Sequence, residues 1–159
     1  MKDWTFEILD PAYGQVTEGP VWDGSGLLFT RIQESRIMRY DPGAKKVSIW
    51  RENTSYANGM TLDALGRLYA CQGGTTENDR CVVRYEVDGS VTVLADNFEG
   101  KRLNIPNDIV VDPGLRVWFT DSTKPPLDRG ATTAPTRSLI MIPSIGWIPT
   151  QTAATKSIA

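Results

Sequence analysis

Apolar and polar residues alternate with a period of two in three short segments of the chain. The segments read PVWDGSGLLFT from Pro20, GMTLDALGRLYA from Gly59 and DIVVDPGLRVWFT from Asp108. In each segment, two apolar runs flank a turn that begins with an aspartate. An aspartate in that place can bond to its own following backbone, while glycine supplies positive φ. The alternation therefore predicts a β-hairpin in each segment.

The hairpins belong to a longer internal repeat. Their turn aspartates, Asp23, Asp63 and Asp112, are 40 and 49 residues apart. The stretch RIMRYDPGAKKVSIW after the first hairpin also matches CVVRYEVDGSVTVLA after the second. This second match argues against the alternative of three unrelated hairpins and predicts units of four antiparallel strands. Such units, recurring every 40 to 50 residues, are typical of β-propeller blades.

The repeat divides the chain into five parts. We expect one blade at residues 16–55, a second at 56–100 and the start of a third at 101–124. Residues 1–15 form an N-terminal region in which WTFEIL, residues 4–9, alternates well enough to predict a separate strand, as the outer strand that closes a ring. Trp22, Trp118, Phe119 and Cys71 are expected to pack in the core, the aromatic residues between blades.

Residues 125–159 differ from the rest of the chain. They contain six Thr and five Pro but a single acid, Asp128, against 18 acids in residues 1–124. One hypothesis is a one-nucleotide slip between the codons for about Ser122 and Ser138, because the shifted frame over residues 140–149 admits DHDSVYRLDP, which resembles the strand SRIMRYDP. The alternative is a lineage-specific linker or a disordered tail.

Composition removes several classes of function. The chain has 159 residues, 40% of them hydrophobic, and a net charge of −2, so no strong field favours nucleic acid or an anionic membrane. No apolar run has the length of a signal sequence or membrane span, which predicts a cytoplasmic protein. The absence of histidine excludes Ser-His-Asp and Cys-His chemistry within the chain. The two cysteines are expected to be free thiols.

Four motifs identify a family. TEGPVWD, ANGMTLDALGRLYAC, ADNFEGKRLNIPNDIVVDP and VWFTD, between about Val16 and Thr123, resemble the senescence-marker-protein/gluconolactonase family, which includes regucalcin. The resemblance implies an all-β, six-bladed propeller, here a partial propeller of about two and a half blades. It also implies one divalent cation, Ca²⁺, Zn²⁺ or Mg²⁺, in the central channel and hydrolysis of a sugar lactone to the aldonic acid.

The resemblance assigns two principal site residues. Glu18 corresponds to the metal-ligand glutamate, and an anionic oxygen at the start of an inner strand suits such an ion. Asn107 corresponds to the channel amide that contacts substrate hydroxyls or a metal-bound water, with Pro106 holding its approach rigid. Asn104 is a secondary substrate candidate. The alternatives are a solvated carboxylate for Glu18 and ordinary turn chemistry for Asn104.

Other positions are less directly matched. Asp121, with Thr120 beside it, corresponds to a place that in some relatives helps to hold a second cation, and a capped strand end is the alternative. Ile105 stands where several relatives have an arginine, which removes a charged sugar contact. The remaining metal amide and the aspartate base of the family lie beyond this chain, so its own catalytic residue is unknown.

These expectations define two hypotheses for function. The first is a metal-dependent sugar lactonase, inactive when represented by this N-terminal half alone. The second is a propeller that binds a ligand in its channel without catalysis, because the fold hosts many functions. Under either hypothesis, exposed blade edges favour self-association.

Overall fold

The structure, a computed structural model, describes residues 5–9, 16–122 and 138–142. Within these ranges the chain forms antiparallel sheets joined in chain order. The first sheet contains β1 (Thr17–Trp22), β2 (Leu27–Arg31), β3 (Arg36–Asp41) and β4 (Lys46–Arg51). The second contains β5 (Ala57–Leu62), β6 (Leu68–Gln72), β7 (Cys81–Tyr85) and β8 (Val91–Ala95).

A two-stranded ribbon leads into the third sheet. The ribbon pairs β9 (Asn97–Phe98) with β10 (Lys101–Arg102), and the third sheet contains β11 (Ile105–Val111), β12 (Val117–Ser122) and β13 (Ser138–Ile142). Short 3-10 turns at Ile32–Glu34 and Glu77–Asp79 are the only helical elements in the described ranges. Accordingly, these ranges contain no helix long and apolar enough to cross a membrane.

The alternation of side chains explains how the sheets stack. In β6, Leu68 and Ala70 pack toward the first sheet, while Tyr69 and Cys71 pack toward the third. Successive residues of a strand point to opposite faces, so a strand between two sheets must be apolar on both. All five residues of β6 are buried. The three sheets are therefore stacked blades, and the predicted partial β-propeller is confirmed.

The hairpin turns form as the sequence predicts. Asp63 accepts hydrogen bonds from the backbone N–H groups of Leu65 and Arg67 at 2.9 and 3.0 Å. Asp63 also accepts from Arg67 Nε at 2.6 Å and from the Tyr69 hydroxyl at 3.0 Å. Asp23 and Asp112 bond to the backbone of their own turns in the same way. The repeat thus fixes each blade's first turn by local hydrogen bonds.

Two expectations about packing are wrong. Residues 5–9 carry no strand pairing, although alternation predicts a strand at 4–9. An alternating pattern gives a strand one apolar face but no strand to pair with, and a ring-closing strand must pair with a neighbouring sheet. Trp22 is 55% exposed rather than packed between blades, because it lies on the side of β1 that faces away from the second sheet. By contrast, Phe119 and Cys71 are buried as expected, and Trp118 is half-buried with its indole N–H donating to Asp112.

The region of altered composition includes one described strand. β13 pairs with β12 along its whole length, from Val117 opposite Ile142 to Asp121 opposite Ser138. The other residues between 123 and 159 lie outside the described ranges, and so does the interval in which the nucleotide slip is predicted. The slip therefore stays a prediction.

Candidate metal and substrate site

Each blade begins with a strand that contains a β-bulge in the same place. The pairing register shifts between Glu18 and Val21 in β1, between Ala57 and Met60 in β5, and between Pro106 and Ile109 in β11. A bulge inserts extra backbone into one strand and redirects its side chains. The repeat therefore builds three similar bulges in neighbouring inner strands.

Counting from the turn aspartates identifies the equivalent residues of the bulges. Glu18, Asn58 and Asn107 each lie five positions before the aspartate of their hairpin, at Asp23, Asp63 and Asp112. Each position carries a side chain with an oxygen that can bind a cation or a hydroxyl group. The three residues form what we call the channel triplet.

Close backbone contacts hold the channel triplet at one level. A Cβ atom on Gly19 would collide with the backbone oxygen of Asn58 and would lie 3.1 Å from Met60 N. A Cβ atom on Gly59 would collide with the backbone oxygen of Asn107. Gly19 also has φ +57°, a conformation that favours glycine. The two glycines thus allow β1 to touch β5 and β5 to touch β11.

In the first and third blades, a threonine of the second strand bonds to the backbone of that blade's own bulge. The Thr30 hydroxyl donates to the backbone oxygen of Glu18 at 3.0 Å, and Thr120 Oγ1 accepts from the backbone N–H of Asp108 at 3.0 Å. In the second blade the same place is taken by Cys71, whose Sγ lies 3.8 Å from the backbone oxygen of Asp108. Burial raises the pKa of the Cys71 thiol well above its usual value, so the thiol stays protonated. Thr120 therefore has a structural role in this geometry.

Glu18 is half-buried and lacks a partner for its charge. Within the described ranges its carboxylate makes neither a hydrogen bond nor an ion pair. The residue borders a cavity of about 240 Å³ whose other lining residues include Pro20, Leu27 and Phe29. Partial burial of an unpaired carboxylate against apolar side chains costs free energy that a bound cation would offset. Glu18 thus remains the strongest metal-ligand candidate.

The amides of the channel triplet are also available. Asn107 is half-buried and, among the residues described, its side chain makes no hydrogen bond. Asn58 is only 8% exposed, and its Oδ1 is buried with no hydrogen-bond partner. Sequence analysis did not select Asn58. The available signal was its place in ANGMTLD, five residues before Asp63, as Glu18 and Asn107 are placed before theirs.

Asp121 and Asn104 interact with each other. Asp121 is buried and accepts hydrogen bonds from the backbone N–H groups of Asn104 and Ile105 at 2.9 Å each. The Asn104 amide donates to Asp121 Oδ2 at 3.3 Å. Both carboxylate oxygens therefore cap the start of β11. This geometry is the capped strand end that sequence analysis offered as the alternative to a second cation site.

The channel triplet suits a hard cation. Ca²⁺ and Mg²⁺ prefer carboxylate and amide oxygens, which Glu18, Asn58 and Asn107 can supply, whereas Zn²⁺ favours nitrogen and sulfur ligands in addition. The described ranges contain no cluster of three or more His, Cys, Asp or Glu side chains. Glu18 is therefore the one anionic member of the candidate set, and the amides would complete the part of the shell that this chain supplies.

Stacked blades with polar groups at repeated positions of their inner strands define a partial β-propeller with a candidate axial site. A model of the SMP-30/gluconolactonase/LRE-like region matches residues 16–141, which is more than half of the chain. The chain therefore belongs to the SMP-30/gluconolactonase family, and the resemblance found in its motifs is confirmed.

Individual relatives agree with this assignment. A gluconolactonase of Zymomonas mobilis is 31% identical over 123 residues, covering 67% of this chain and 33% of that protein. A solved gluconolactonase of Xanthomonas campestris is 28% identical with a TM-score of 0.66, covering 81% of this chain and 44% of that one. A solved putative gluconolactonase is 29% identical with a TM-score of 0.67, covering 85% and 47%. The chain thus spans between a third and a half of these relatives.

Proposed function

We propose that this chain forms the N-terminal half of a metal-dependent sugar lactonase. The observation that carries the proposal is the half-buried Glu18 carboxylate, which has no partner within the described ranges and stands level with two amides on the neighbouring inner strands. Membership of a family that includes gluconolactonases supports a sugar lactone as the substrate.

Glu18 would supply the negative charge that holds the cation. When bound, a divalent cation supplies Lewis acidity toward a lactone carbonyl and toward water. The bulge fixes the Glu18 backbone, because Thr30 donates to its carbonyl and Gly19 packs on the next strand. The backbone that carries the carboxylate is therefore fixed before any ligand arrives, which lowers the entropic cost of binding.

Asn107 would orient the substrate. Its amide both donates and accepts hydrogen bonds without titrating, which suits the hydroxyl groups of a sugar ring. Pro106 is buried beside it and restricts the backbone. Ile105 lies two residues before Asn107, where several relatives have an arginine. Because its side chain is uncharged, it favours a neutral sugar lactone over an acidic one. Asn104 is less suitable because its amide already donates to Asp121.

Proton transfer needs a group outside this set. The chain contains no histidine, and Glu18 is assigned to the cation. We propose that the base is an aspartate in the part of the relatives' fold that this chain does not span, and that this chain alone does not turn over lactone. Addition of glucono-lactone to the 159-residue chain, followed by pH-stat titration, should give the uncatalysed rate, and a rate well above it would overturn this part of the proposal.

The test of Glu18 is a cation-dependent melting temperature. Saturating Ca²⁺ or Mg²⁺ should raise the melting temperature of the parent chain, since a ligand that binds only the folded state stabilises it. The Glu18→Gln variant keeps the size of the side chain but removes its charge, so the rise should disappear. Glu99→Gln is a matched control, because Glu99 is exposed in a hairpin turn and loses the same charge.

Each result separates the two hypotheses for function. Equal cation stabilisation of the parent and Glu18→Gln would remove Glu18 from the site. No stabilisation of the parent by any of Ca²⁺, Mg²⁺ or Zn²⁺ would favour a channel that binds its ligand without a metal, as in the non-catalytic scaffold. Stabilisation lost in Glu18→Gln and retained in Glu99→Gln supports the lactonase.

We also propose that the chain self-associates through the open face of its first blade. This face consists of Pro20, Trp22, Leu27, Phe29 and Tyr40, which lie on the side of the first sheet away from the second. Blades in this fold cover such faces by stacking, and a second copy presents blade faces of the same kind.

A further inference from the structure

Asn58 has a buried acceptor with nothing to bind. Its Oδ1 has no hydrogen-bond partner among the residues described, and the whole residue is 8% exposed. A buried, unsatisfied amide oxygen costs roughly 1–3 kcal/mol, so folded proteins rarely retain one without a purpose or a missing partner. The oxygen itself is buried, as are the neighbouring residues Ala57, Gly59 and Met60, so bulk water does not reach it.

The place of Asn58 in the fold points to the missing partner. Its backbone oxygen packs on Gly19, the residue after Glu18, and the next residue, Gly59, packs on the backbone of Asn107. Asn58 therefore lies between Glu18 on β1 and Asn107 on β11. All three residues lie five positions before the turn aspartate of their own hairpin. A group bound at this level by Glu18 would have the Asn58 amide as its nearest neighbour along the ring of strands.

The chemistry favours a resident cation over a passing hydroxyl group. A substrate hydroxyl would satisfy the oxygen only during turnover and would leave it unpaired in the free protein. A cation that stays bound satisfies it permanently, and amide oxygens are regular ligands of Ca²⁺. The negative charge of Glu18 beside Asn58 adds to the attraction for a cation.

We propose that Asn58 Oδ1 is an oxygen ligand of the same divalent cation that Glu18 binds. The inference rests on the proposed function, and it adds the second blade to the metal site. The cation then bridges the first two blades, so its binding also fastens the inner strands β1 and β5 to each other.

The test is calcium affinity by isothermal titration calorimetry of the whole chain. Asn58→Ala should weaken binding by about tenfold or more, which is the scale seen when supporting groups of metal sites are removed. Asn58→Asp has the same shape and adds a charge beside the cation, so it should tighten binding by about tenfold or more. Asn78→Asp is the control, since Asn78 is exposed and its Oδ1 accepts from Arg102 at 3.3 Å.

Circular dichroism without calcium shows whether each variant folds. If Asn58→Ala does not fold, the tighter calcium binding expected of Asn58→Asp tests the inference. Binding lost in Glu18→Gln but unchanged in both Asn58 variants would overturn the inference and leave the proposed function standing. Equal tightening in Asn58→Asp and Asn78→Asp would indicate a general charge effect and would also overturn it. If neither the parent nor Asn58→Asp binds calcium, both the metal site and this inference are wrong.

Discussion

Single aspartates at the hairpin turns show how much of this structure is local. Asp63 accepts from Leu65 N, Arg67 N, Arg67 Nε and the Tyr69 hydroxyl, all within six residues of it in sequence. The two backbone bonds depend only on neighbours in the chain, so the residues DALGRLY were enough to predict them, whereas the bonds from Arg67 Nε and the Tyr69 hydroxyl were not predicted. Asp112 makes the matching set with Gly114, Arg116 and Trp118.

These aspartates should make stability depend on acid pH. Hydrogen bonds from Trp118 and from Arg116 lower the pKa of Asp112 to about 2, and hydrogen bonds from Arg67 and Tyr69 hold the pKa of Asp63 below its usual value against the cost of burial. In an unfolded chain an aspartate has a pKa of about 3.9. A carboxyl whose pKa is lowered by folding stabilises the fold above the unfolded value and loses that contribution as pH falls through the folded value.

We therefore expect the free energy of unfolding to fall as the pH decreases from about 4 to about 2. Urea denaturation at intervals across that range measures it. The Asp112→Asn variant should be less stable near neutral pH and should show a shallower decline, since one of the titrating groups is gone. An equally steep decline in the variant would mean that Asp112 does not contribute.

The side chains of the site were harder to predict than those of the turns. Glu18 and Asn107 came from family motifs, not from local chemistry, and the structure adds only that both are half-buried and partnerless within the described ranges. Asn58 was missed because an Asn-Gly pair also suits an ordinary turn. Its significance depends on Gly19 and Asn107, which are distant in sequence.

Among the elements, the inner strands have the most demanding contact. β1 approaches β5 so closely that Gly19 has no room for a Cβ atom, and its backbone is in the left-handed region. Gly66 has a similar φ of +76°, but nothing lies within 4 Å of its Cβ position. A substitution at Gly66 therefore tests backbone strain alone, whereas one at Gly19 tests backbone strain together with steric contact.

This difference predicts unequal effects of alanine. Gly66→Ala should cost about 1–2 kcal/mol through its backbone conformation alone. Gly19→Ala should cost about 1–3 kcal/mol more, because the methyl group must push β1 away from β5. The midpoint of urea denaturation measures both variants, and equal losses would show that the blades do not meet at Gly19.

Element prediction succeeded where pairing is local and failed where it is not. Each hairpin has its partner within a few residues, and the strands on either side of Asp23, Asp63 and Asp112 formed as expected. The segment at residues 4–9 alternates equally well, but a strand there needs a sheet from elsewhere in a ring. The exposure of Trp22 has the same cause, since it depends on whether another blade covers the first.

On the outer side of the first blade Trp22 is 55% exposed, and no other sheet of the described ranges packs against it. Pro20, Leu27, Phe29 and Tyr40 line a cavity on this face, together with Leu9. Exposed apolar surface of this kind drives association. The relatives that the chain matches are about twice as long, which leaves room for further blades in those proteins.

Self-association should therefore depend on concentration and on the open face. Sedimentation equilibrium of the parent chain should show dimers or larger species. Trp22→Arg places a charge on the open face and should shift the chain toward monomer. Val87→Arg is the control, because Val87 is fully exposed in a hairpin turn of the second blade. A monomeric parent, or equal effects of the two substitutions, would contradict the proposed use of this face.

We propose above that Glu18 and Asn58 bind one cation between the first two blades, with the substrate-orienting amide of Asn107 beside it on the third. Nuclear magnetic resonance of the ¹⁵N-labelled chain, titrated with Ca²⁺, tests it most directly. We expect the backbone amide signals of residues 18–19, 58–59 and 107–108 to shift together with a single affinity and to stay in place in Glu18→Gln. Shifts centred instead on the hairpin turns or on Asp121, or no shifts at all, would contradict it.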